Sequence, residues 1–176
     1  MQVFRLFTIC ALALATFTSC EQLNQLTVFD FGPQTTTFIL NETEAGEITF
    51  EREISVNIQK ELDDRGYTED KIESIRPKTV TISLSNSDSD FSLSNITDAT
   101  IEIATTNKSA QSVAELVSVI SRDATSVNLE VNDVELRDYL LEDKISYQAT
   151  FTTDATAPQD AQVSIAVTYE VDIKLL

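Results

Sequence analysis

Asn86, Asp88 and Asp90 occupy alternate positions in the stretch Ser85-Asn86-Ser87-Asp88-Ser89-Asp90, which is the opening of a calcium-loop spacing. Side-chain oxygens at that interval can wrap a hard cation, but the loop also needs a Gly for its sharp turn and a bidentate Glu to close the shell. Phe91 stands in the first of those places and Thr97 in the second, so the three residues are weak calcium candidates and a solvated turn is the better expectation. The chain carries 29 Asp and Glu against 12 Lys and Arg, and no His. Without His the commonest general base and the commonest metal ligand are missing. A Ser or Thr nucleophile would have to use Lys or a carboxylate as its base, and neither G-x-S-x-G nor S-x-x-K occurs. The three Gly lie far apart, so no loop can cradle a phosphate. No pair among the many carboxylates is singled out for glycoside cleavage. The expectation is a protein that is not an enzyme and has no metal or organic cofactor in its folded part.

Binding chemistry is narrowed in the same way. A net charge of −17 repels phosphate backbones, which excludes nucleic acid as a partner. Glycan sites commonly use aromatic platforms, yet there is no Trp and only four Tyr. Tyr139, Tyr147 and Tyr169 fall on apolar faces and belong to a core, while Tyr67, after Gly66, is expected at the surface. An extracellular ligand-binding module, for a glycan or for calcium, is therefore the alternative reading rather than the first. Asn41, Asn95 and Asn107 each begin an N-x-[ST] sequon, which has meaning only in a eukaryotic host.

Cys20 is the residue with the most specific chemistry. It closes the segment MQVFRLFTICALALATFTSC, in which Arg5 precedes an apolar run from Leu6 to about Phe17, followed by small residues. This is the layout of a secretory signal, and a run of about twelve residues falls short of the roughly 20 that a spanning helix needs. Phe17-Thr18-Ser19-Cys20 resembles a bacterial lipobox, with Phe17 where that family prefers Leu or another aliphatic residue. The resemblance covers the first twenty residues only. It implies cleavage before Cys20 and a diacylglycerol-type lipid on the Cys20 thiol, which would anchor the protein in a membrane of the bacterial cell envelope. Residues 1–19 would then be the signal peptide, leaving 176 − 19 = 157 residues with a charge of 11 − 29 = −18. Cys10 leaves with the signal peptide, so Cys20 has no partner in the chain for a disulfide, and lipidation accounts for an otherwise leftover thiol.

Residues 20–26, CEQLNQL, form a short polar tether of about 25 Å when fully extended. Residues 27–176 are expected to fold as one all-β, mainly antiparallel sandwich of about eight strands with short inter-strand helices. Alternation of apolar and polar residues carries that expectation. It runs through Val80-Ile82-Leu84, Ile101-Ile103, Val127-Leu129-Val131, Ile145 to Phe151 and Val163 to Leu175. The last run is longer than an average strand and is expected to bend or change sheets. Val28–Phe31, Thr35–Leu40 and Ile48–Ile54 are further strands, with Gly32-Pro33 and Ala45-Gly46 as turns. A helix is expected from about Ser55 to Arg65 with Gly66 as its C-cap, and a second turn capped by Thr68 and ended by Pro77. Asn132-Asp133-Val134-Glu135 resembles a capping box. Ser112–Ile120 fits either period and is assigned to strand on the strength of its neighbours. The mature domain matches no named family, so the function expected is a non-catalytic structural or interaction role, with an unidentified protein or glycan as partner.

Overall fold

Period-two alternation produces what it should: among the described residues, nine strands arranged in two antiparallel sheets, each with one apolar face. The computed structural model describes residues 27–41, 43–85 and 90–174. The strands are β1 (Val28–Ile39), β2 (Gly46–Ser55), β3 (Ile72–Ser85), β4 (Ile96–Ala104), β5 (Gln111–Glu115), β6 (Ser126–Asn128), β7 (Glu130–Val131), β8 (Lys144–Thr153) and β9 (Gln162–Ile173). One sheet has the order β1-β9-β3-β6 and the other β2-β8-β4-β5-β7. Their inner faces share one hydrophobic core, an all-β sandwich.

The C-terminal run forms β9, a single strand that stays in one sheet. It lies between β1 and β3 and buries Val163, Ile165, Val167, Tyr169, Val171 and Ile173. A central strand has neighbours along its whole length, which allows twelve residues to continue without a bend. The segment that does change sheets is β6–β7. β6 pairs with β3, β7 pairs with β5, and only buried Leu129 separates them, its N–H bonded to the Val80 carbonyl at 2.8 Å. Two expected strands merge, because Gly32-Pro33 is a bulge within β1 and not a turn. Gly32 has φ +121°, and a Cβ there would lie 2.8 Å from the Val167 carbonyl oxygen, so the bulge requires Gly.

The expected first helix is α1 (Ile58–Arg65). The Asn57 side chain accepts from the Lys60 N–H, and Gly66 ends the helix at φ 75° with Tyr67 N–H bonded to the Leu62 carbonyl. Ile58 and Leu62 seal one end of the sandwich. The second turn is shorter than expected: Glu69–Lys71 is a 3-10 turn, and Ile72 already begins β3. Thr68 bonds the Asp70 carboxylate instead of capping, and Pro77 sits inside β3 beside a register shift that spares its missing N–H. The capping box at Asn132 is not formed. The one-turn helix α2 (Arg137–Leu140) has Leu136 at its N-cap, Asn132 bonds Ser112, and the Glu135 carboxylate accepts from the N–H groups of Ile75 and Arg137. Of Ser112–Ile120, only residues through Glu115 are strand, and the remainder leaves the sheet.

Candidate functional site

The strand registers divide the molecule into two poles. Val28 and Ser74 both lie opposite Asp172, which places the starts of β1 and β3 and the end of β9 together. α2 joins them there through the Leu136 N–H to the Ile75 carbonyl. At the other pole Ile39 and Ser85 both face Gln162, and Gly46 and Ile96 both face Thr153. The described residues of the connections 40–45, 90–95, 116–125 and 154–161 gather there.

Cys20 lies outside the described residues, and the described chain enters the fold at the start of β1. Phe29, the second residue of β1, is buried at the first pole beneath α1. The Arg65 guanidinium sits 4.3 Å from the Phe29 ring centre, and Tyr67 stacks on the same residue at 6.5 Å with an interplanar angle of 8°. Tyr67 is therefore half-buried packing rather than an exposed platform. This clamp needs a residue from β1, the last residue of α1 and one just beyond it, which no local pattern joins.

Asn86 and Asp88 also lie outside the described residues. Asp90 is exposed at the second pole and lines a hollow of about 240 Å³ with Ser92, Ser94, Asn95 and Arg122. Asn95 is already engaged, accepting from the Ser92 N–H and donating to the Asp154 carboxylate. Among the described residues no group of three or more His, Cys, Asp or Glu is placed to hold a metal ion.

A larger hollow, of about 560 Å³, opens on the outer face of the five-stranded sheet, lined by Glu51, Glu53, Lys108, Lys144, Ser146 and Gln148 among others. Its groups are mutually occupied. Lys144 Nζ donates to Glu53 at 2.6 Å, and the Ser146 hydroxyl donates to Glu51 at 2.7 Å. The hydrogen bond to Glu53 raises the Lys144 pKa. Both carboxylates are exposed, and the lining has no aromatic ring. The hollow offers solvated hydrogen-bonding groups, without the buried acid and base or the stacking surface that catalysis or sugar binding uses.

The described groups with the largest pKa shifts lie in the core. The hydroxyls of Tyr147 on β8 and Tyr169 on β9 hydrogen-bond to each other across the two sheets. Burial pushes both phenols well above the usual tyrosine range. The pair is shut off from solvent, so its role is to join the sheets. Among the described residues no helix is long and apolar enough to cross a membrane.

No family profile matches the chain, and no curated protein does. Among solved structures, AlgX of Pseudomonas aeruginosa is 11% identical with a TM-score of 0.33, over 76% of this chain and 25% of that one. The VP2 subviral particle of infectious bursal disease virus is 12% identical with a TM-score of 0.35, over 84% of this chain and 32% of that one. A Clostridium perfringens CBM32 domain, solved with GalNAc-beta-1,3-galactose, is 10% identical with a TM-score of 0.29, over 68% and 94%. This chain thus spans a quarter of AlgX and about a third of VP2, and likenesses at these TM-scores carry no argument about ligand or activity.

Proposed function

We propose that the protein is a lipid-anchored lipoprotein of the bacterial cell envelope, with a non-catalytic structural or interaction role. The observation that carries this reading is the leader ending in Thr18-Ser19-Cys20, with Cys20 the last Cys of the chain. A thiol at that position needs a fate, and alkylation by diacylglycerol supplies one. The fold agrees with the role. A sandwich joined through its core, whose larger outer hollow is solvated and internally paired, is a scaffold that presents surface.

Membrane fractionation of the producing cells tests the reading. Wild-type protein is expected in the membrane fraction, resistant to high salt and released by detergent, while Cys20→Ala is expected to leave that fraction or to keep its leader. Wild-type protein found free in the soluble envelope fraction would overturn the proposal.

A further inference from the structure

The same anchor has a consequence for how the domain stands. Resting on the lipid-anchor reading, we infer that the pole built from α1, α2 and the starts of β1 and β3 faces the lipid surface, and that the connection 116–125 is held away from it.

Three observations converge on this. The tether enters at the α1 pole, and the Phe29, Arg65 and Tyr67 clamp fixes its exit there. Residues 20–26 reach about 25 Å at most, whereas the twelve residues of β9 span roughly 40 Å at ~3.3 Å each. The second pole therefore stays away from the bilayer unless the domain lies on its side.

Charge opposes that tilt. Eleven Lys and Arg follow Cys20, being 12 less Arg5. They stand against 29 Asp and Glu, and both poles are acidic: the described connections of the second pole hold Glu44, Asp90, Asp123, Asp154 and Asp160 against Arg122, while α1, the turn after it and α2 hold Glu61, Asp63, Asp64, Glu69, Asp70 and Asp138 against Lys60, Arg65, Lys71 and Arg137. A domain on its side would bring more of this acidic surface against anionic headgroups, which repel it.

Lys71 and Lys174 complete the argument. They are neighbours beside the tether exit, tied by the Lys174 N–H to the Lys71 carbonyl at 2.7 Å. Neither ammonium group forms a close ion pair among the described residues, although the charge of Lys71 acts on the neighbouring Asp70 carboxylate. At the opposite end Val119 is 98% exposed, and Val117 is also exposed. Standing this way, the domain offers that apolar tip outward.

Energy transfer to labelled headgroups reads the orientation. With Cys10 removed with the leader and Cys20 carrying lipid, one introduced Cys is the sole thiol. Glu69→Cys and Val119→Cys, both at exposed positions, would be labelled with a donor dye on lipidated protein in phosphatidylethanolamine/phosphatidylglycerol vesicles containing a headgroup acceptor. Transfer from position 69 is expected to be several times that from position 119, and the Lys71→Glu, Lys174→Glu pair is expected to narrow the gap. Protein that floats with the vesicles but transfers equally from both sites, or more from 119, overturns the orientation and leaves the anchor intact. Protein that does not float overturns the anchor reading and the orientation with it.

Discussion

At the residue scale the most consequential contact is between Tyr147 and Tyr169. Two phenols bring two hydrogens to one shared bond, among the side chains of the hydrophobic core. Tyr147→Phe removes one hydroxyl and strands the other, at a cost of about 1–3 kcal/mol. Removing both strands nothing, so the double variant Y147F/Y169F is expected to cost less than the sum of the single changes. Urea unfolding of the four proteins in a double-mutant cycle measures this. The pair also sets a response to alkali. Burial holds both phenols neutral in the fold, while in the unfolded chain they ionise near pH ~10. The folded protein thus keeps protons that the unfolded chain releases, so the stabilisation is fully present below that pH and falls as the pH rises through it. Urea midpoints are expected to drop between about pH 9 and 11, and a midpoint that does not move over that range contradicts the buried pair. Parity along β8 and β9 already places both tyrosines on apolar faces. Their meeting could not be read, since it depends on which sheet each strand joins.

At the element scale the two sides of the sandwich close differently. One side is covalent, through Leu129 between β6 and β7. The other is closed by contacts between edge strands: the exposed Arg52 of β2 donates to the Thr37 carbonyl of β1 at 2.6 Å, and Phe38 and Phe50 meet with ring centres 5.4 Å apart. A charge on an edge strand also discourages pairing with other chains. Arg52→Ala is expected to cost about 1 kcal/mol and to speed hydrogen exchange in β1 more than in β3. Unchanged exchange in β1 would show that Arg52 does not hold this seam. The glycines divide similarly. Gly66→Ala strains a left-handed cap in open space, at about 1–2 kcal/mol, whereas Gly32→Ala adds a collision with the Val167 carbonyl and is expected to cost more. Thermal unfolding ranks the two. Strand alternation, α1 and its Gly66 cap were legible because each is a local pattern. The Gly32-Pro33 bulge, the strand at Ile72 and the departure of the chain after Glu115 were not, because sheet partners overrode the local signals.

At the scale of the whole molecule, the fold class followed from patterning, and the anchor is a reading of twenty residues that precede the fold. The proposed site chemistry was legible only there, because a lipidation signal is a short linear motif. The acidic stretch at Asn86, Asp88 and Asp90 is the opposite case: its residue types suggest a ligand set, while the turn Gly and closing Glu of a calcium loop are missing from its spacing. The rest of the described surface is mainly solvated carboxylates, Lys, Thr and Ser, with Ile39, Val117 and Val119 as exposed large hydrophobic residues. Intact mass spectrometry of the protein from the membrane fraction, beside Cys20→Ala, tests the central claim most directly. The account predicts a chain that begins at Cys20 and carries a diacylglycerol-type mass that the variant lacks. A wild-type chain with Cys20 unmodified, or cut at another residue, would contradict it.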